Sequence, residues 1–299
     1  MLSGAVFNCG RVAWPPFELS AWRETCDTLH MYAQIVGKLR LALAPAEPEW
    51  AHCALYVSPR GLSTGPVPYR DRSFQIDFDF IKHKLEIAVS DGQHRTIPLE
   101  PRSVAAFYEK LMELLRAMDI TVTIWPMPVE IADPIRFSED TKHGSYDPEH
   151  ASRFSHVLTL IDAALQEHRA PFRKRHTRVQ FFFGTFDLAY ARFSGRTATP
   201  PHDDVITRNA MDAEEICVGF WPGDGRFPEA AFWCYAFPKP EGAENRTVRP
   251  NAAFWNGEMG EFMLRYEDVR TAESPRDALH EFFTSTYEVF SELAKWDDV

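Results

Sequence analysis

Residues 177–196, TRVQFFFGTFDLAYARFSGR, hold the longest aromatic run in the chain. Apolar residues recur there at every second position, the period of a strand and not of a helix. Two buried strands follow from this. Val179, Phe181 and Phe183 share one face of the first, while Phe186, Leu188 and Tyr190 share a face of the second, with Gly184 and Thr185 at the turn or bulge between them. Asp187 and Arg192 are the only formal charges between Arg178 and Arg196. Apolar neighbours lower the dielectric around both, so each must be paired or face a cavity.

A chain of 299 residues, 45% hydrophobic and 13% aromatic, can bury a large core without staples. Its net charge of −11 argues against nucleic acid or an anionic membrane as main partner, since both call for a basic surface. The basic run at 169–178, RAPFRKRHTR, is too local to reverse that. Cys9, Cys26, Cys53, Cys217 and Cys234 lie far apart with no C-x-x-C spacing, which fits a reduced, cytoplasmic compartment. The opening MLSGAVFNCGRVAWPP has no export pattern, and no run nears the ~20 apolar residues of a membrane span. The sequence names no cofactor and sets no oligomeric state.

Taken in order, the pattern predicts an α+β protein. A helix over 21–43 follows Ser20, with Cys26, His30, Gln34 and Lys38 spaced one turn apart along one edge. A solvent-facing stripe is the commoner use of such an edge; a helix offering His30 and Gln34 to a cleft is the sharper one. Strands follow from 53 to 100, including 74–80, where Phe74, Ile76, Phe78 and Phe80 oppose Gln75, Asp77 and Asp79. A helix over 102–118 and a strand, ITVTIW, complete a first half. Residues 126–149 form a Pro-rich connection, and Asp147 with Pro148 begins a helix running to about Arg169. Strands at 177–195, 215–221, 230–237 and within 252–266, then a helix over 275–296 begun by Ser274 and Asp277, repeat that order. The expectation is two similar helix-plus-antiparallel-sheet halves, 1–125 and 150–299, an internal duplication packed as one globular unit, with a site where they meet.

No G-x-G-x-x-G, Walker A, G-x-S-x-G, H-E-x-x-H or Cys-rich zinc pattern is present, so no motif fixes a reaction. The candidates are dispersed. His143 and Tyr146, near His150 and His156, could serve proton transfer or, with Asp77 and Asp79, hold a divalent metal. Arginines at 192 and 196 could grip a carboxylate or phosphate, with Asp187 orienting a partner; an internal Asp187–Arg192 pair is the competing use. Trp221, in the turn-forming run GFWPGDG, could wall a pocket.

At 28–45, 73–80, 102–114, 143–148, 186–196 and 219–223 the chain resembles an uncharacterised bacterial family known only as a domain of unknown function. The resemblance is near full length and implies no activity. In that family a histidine commonly stands where this chain has Gln180, and a Ser-His-Glu run stands near Asp212 to Glu214. His30 and His143 are the histidines left within the matching stretches.

The functional expectation is a small-molecule enzyme or binding protein acting on a small anionic organic ligand in a cleft between the halves. His30, His143 and Asp187 would be its catalytic groups, and Gln34, Tyr146, Arg192, Arg196 and Trp221 its ligand contacts. A His/carboxylate metal-binding protein and a non-catalytic protein-interaction module are the alternatives.

Overall fold

The computed structural model describes residues 14–296. Cys9 and most of the segment read for an export signal lie outside them. Helix α1 (Leu19–Leu43) leads into strands β1 (Tyr56–Ser58), β2 (Gly61–Ser63), β3 (Val67–Tyr69), β4 (Arg72–Asp79), β5 (Lys84–Val89) and β6 (His94–Pro98). These form one antiparallel sheet in the order β1-β2-β4-β5-β6, with β3 also paired to β4. The alternation expected at 74–80 is realised, since Phe74, Ile76 and Phe78 are at most 2% exposed.

Helix α2 (Val104–Ala117) and a strandless connection lead to α3 (Pro148–Arg169). Asp147 caps α3 by accepting the N–H groups of Glu149 at 2.8 Å and His150 at 3.1 Å, as the Asp-Pro pair predicts. Next come β7 (Gln180–Phe182), β8 (Asp187–Thr197), α4 (Val205–Ala210), β9 (Ala213–Trp221), β10 (Ala231–Phe237), β11 (Phe254–Asn256), β12 (Glu261–Arg265), α5 (Tyr266–Arg270) and α6 (Pro275–Leu293). Their sheet is also antiparallel and runs β11-β12-β10-β9-β8-β7. The protein is therefore α+β with two six-stranded sheets. The two strand orders differ, and α4 and α5 have no counterpart in the first series, so the duplication expected from the sequence does not extend to the pairing.

Two other expectations change. Residues 120–125 form no strand; the N–H of Thr121 donates to the Tyr69 hydroxyl at 2.9 Å, and Trp125 is 68% exposed. Nor is the polar edge of α1 a solvent face. Cys26, Gln34 and Lys38 are buried; Gln34 bonds Val129 of the connection and Lys38 lies 5.9 Å from the Phe183 ring before the turn into β8.

The two sheets are joined. Leu55 and Phe181 exchange both backbone hydrogen bonds at 2.8 Å, an isolated antiparallel bridge between the segment before β1 and strand β7. Around it the ring of Phe154 packs on Trp22 at 5.1 Å, on Phe186 at 5.4 Å and on Phe80 at 6.3 Å. Each well-placed ring pair adds about 0.5–1.5 kcal/mol beyond its buried area. The junction of the two sheets is thus filled by one hydrophobic core rich in aromatic rings.

Candidate functional site

Strand β8 alternates between two environments. Leu188 and Tyr190 enter the main core beneath α3 and α6, whereas Ala189, Ala191 and Phe193 belong to a second apolar cluster on the other face. Register extends that outer face across the sheet. Gln180, Ala189, Gly219, Trp233, Met263 and Phe254 form one cross-strand row from β7 to β11. Even offsets from this row place Asp187, Glu215, Cys217, Trp221, Tyr235 and Glu261 on the same face.

Small residues shape this surface. A Cβ at Gly219 would stand 2.3 Å from Cζ2 of Trp233, so only glycine lets the indole lie across β9. Tyr235 stacks on Trp233 with centroids 5.6 Å apart. Both ends of the face are walled. At one end the loop after β9 places Phe227 6.4 Å from Trp221 and Arg226 5.6 Å from the same indole. At the other, Arg175 stands 4.5 Å from the Phe193 ring, and Trp50 donates to the Ile206 carbonyl of α4 at 3.0 Å.

Three carboxyls of this face are displaced toward neutrality. Burial pushes Asp187 up to about 7; the Thr185 hydroxyl, donating to it, opposes the shift, and Glu130 adds to it. Burial also carries Glu215 to about 7 against the Tyr235 hydroxyl, which donates at 3.0 Å, with Glu49 and Asp212 adding negative charge. Glu261 reaches about 7 by burial and the charge of Asp187, with Arg226 opposing. None of the three has an ion-pair partner within 4.0 Å among the described residues. The side-chain oxygen of Gln180, a residue 1% exposed, has no hydrogen-bond partner. A buried carbonyl left so costs about 1–3 kcal/mol, which a ligand N–H or a water would recover.

The residues singled out from the sequence divide among several places. Asp187 and Trp221 lie on this face. His30 lies behind it, donating from Nε2 to the carbonyls of Phe183 and Gly184 at 2.9 Å and stacking on Phe186 at 4.8 Å. Burial lowers its pKa to about 4, so it stands neutral. Gln34 clasps Val129 from both sides, giving its amide to the carbonyl at 2.8 Å and accepting the N–H at 3.1 Å. His143 donates to the buried Asp140 at 2.7 Å, and Tyr146 bonds His83 at 2.9 Å, both away from the face.

The arginines are engaged elsewhere. Arg192 sits five residues from Asp187, an odd step that puts the two on opposite sides of β8. Its guanidinium donates to the His168 carbonyl at the end of α3 and lies 4.4 Å from Tyr287 and 4.9 Å from Phe172. Arg196 pairs with Glu214 at 2.7 Å and donates to the carbonyls of Ala294 and Lys295 at 2.8 and 3.1 Å, closing the end of α6. Asp79 holds Arg60 at 2.6 Å. Among the described residues no three His, Cys, Asp or Glu side chains are grouped to hold a metal ion, so His143 with Asp77 and Asp79 is not assembled.

A family model described as a family of unknown function, DUF5996, matches residues 14–299. The chain belongs to that family. Comparison with curated proteins and with solved structures finds no match. Gln180 and Ala213, at or beside the positions where the family resemblance expects histidines, both stand on the outer face of the second sheet.

The sequence reading missed Glu215, Glu261, Trp233 and Tyr235. Strict alternation in EEICVGFW does separate Glu215, Cys217, Gly219 and Trp221 from Ile216, Val218 and Phe220. What it withholds is which residues of β8, β10 and β12 join them, because register is set between strands.

Proposed function

We propose that this chain is a small-molecule-binding protein whose ligand lies against the outer face of the second sheet, between the Phe227 and Arg175 walls. The observation that carries this reading is the occurrence on one face of two buried carboxyls, Asp187 and Glu215, and the half-buried Glu261, none with an ion-pair partner among the described residues, together with flat aromatic rings and an orphan amide oxygen. Carboxyls poised near neutral pH can give or take a proton, so the same face is suited to acid–base chemistry on what it binds. The reading places the protein in a reducing, cytoplasmic setting, supported by the free thiols of Cys26, Cys53, Cys217 and Cys234. No helix among the described residues is long and apolar enough to cross a membrane.

The test is a thermal-shift screen of a metabolite-like library run in parallel on the wild type, Trp233→Leu, Asp187→Asn and the distant control Glu113→Gln. Compounds that stabilise the wild type and the control but lose their effect in the face variants support the reading. Hits that keep their full shift in both face variants would remove the face as the site.

A further inference from the structure

Resting on that reading, we infer that the ligand is a small planar cation rich in N–H donors, of the amidinium, guanidinium or protonated amino-heterocycle class. The buried side-chain atom left without a partner on the face is an acceptor. Gln180 presents a buried oxygen with no donor, and Asp187, Glu215 and Glu261 have no ion-pair partner within 4.0 Å among the described residues, Arg175 and Arg226 acting on Glu215 and Glu261 only at longer range. The hydroxyls that could serve an anion are engaged, Tyr235 with Glu215 and Thr185 with Asp187.

The two arginines at the walls do not change this balance, because each already has a carboxylate: Arg226 holds Asp224 at 3.0 Å, and Arg175 holds Glu49. The floor suits a flat ligand. The Trp233 indole lies over Gly219, parallel to Tyr235 within 14°. Aromatic faces attract cations, and a planar donor fork matches carboxylate oxygens in a way a rounded ammonium does not. Bulk charge acts in the same direction, since a net charge of −11 draws cations toward the protein and repels anions.

A bound cation favours the ionised form of every carboxyl it faces, so binding must be linked to proton release. Asp187 is faced by Glu130 from the connection, Glu261 from β12 and Cys217 from β9; Glu215 by Tyr235, Cys217, Glu49, Asp212 and Arg175; Glu261 by Asp187 and Arg226. Most of these neighbours are acidic. The cation therefore competes with protons, and affinity rises with pH through the neutral range.

The deciding experiment compares three probes of one shape, benzamidine, benzamide and benzoate, by isothermal titration calorimetry of the full chain near pH 6 and pH 8. Benzamidine is expected to bind, up to ~10-fold tighter at the higher pH for each carboxyl it ionises, and to release protons at the lower one. Asp187→Asn and Glu261→Gln are each expected to weaken it ~10-fold or more near pH 8. Benzoate or benzamide binding as tightly as benzamidine, with the binding lost in Trp233→Leu, would overturn the ligand class while leaving the face as the site. Benzamidine binding undiminished in Asp187→Asn, Glu261→Gln and Trp233→Leu would show that the face itself is not the site. No binding of benzamidine at millimolar concentration would overturn the inference outright.

Discussion

Replacing Asp187 by Asn should make the protein more stable at neutral and alkaline pH. The folded chain holds this carboxyl at about 7 against an ordinary value of 3.8, chiefly by burial. Below the ordinary value both states carry the proton and the group contributes nothing. As pH rises from there toward 7 the unfolded chain ionises while the folded one does not, so stability falls across that window and levels off above it. At about 1.4 kcal/mol per unit, the full shift corresponds to a penalty on the order of 4 kcal/mol. Part of it is shared with Glu130 and Glu261, so about 2–4 kcal/mol is the expected gain for the variant near pH 8. Asparagine keeps an oxygen to accept the Thr185 hydroxyl and resembles the protonated acid in size. Urea unfolding followed by circular dichroism at several pH values would measure it. The His30 imidazole, held down to about 4, has the opposite slope, but it is common to both proteins and cancels in their difference. A variant no more stable than wild type near pH 8, or a stability difference independent of pH, would refute the argument that burial raises the Asp187 pKa.

Three other outcomes follow from the packing. Gly219→Val should displace the Trp233 indole, costing about 1–3 kcal/mol in denaturant unfolding and changing the near-ultraviolet circular dichroism; an unchanged aromatic spectrum would mean the indole does not lie over β9. Arg192→Met should lose about 2–4 kcal/mol and accelerate amide exchange in the last turn of α3, because the guanidinium closes the His168 carbonyl, yet leave ligand binding on the opposite face intact. Gln34→Leu should free Val129 and make the connection at 126–147 more sensitive to limited proteolysis; a cleavage rate equal to wild type would count against the clasp.

Much of the fold was legible because local rules and tertiary packing agree. The Asp147-Pro148 start of α3 and the alternation in β4 needed no knowledge of neighbours. The site was less legible. Spacing alone could have shown that Asp187 and Arg192 point to opposite sides of β8. No spacing within one strand, however, could bring Glu215 and Glu261 to the same face as Asp187, since that depends on register among β8, β9, β10 and β12. The edge of α1 misled for a related reason: a polar stripe looks the same whether it meets water or, as with His30 and Gln34, meets the carbonyls of a neighbouring turn and loop.

The Leu55–Phe181 bridge bears on how this chain could be divided. A cut within 126–147 would give two pieces, each ending its sheet in an open edge beside exposed rings such as Phe154 and Phe80. Neither piece could close its core by itself, but each carries the other's missing border. Co-expressed, they should find one another and restore the whole, which makes the joint a natural place to build a two-part sensor whose reassembly reports on whatever brings the parts together.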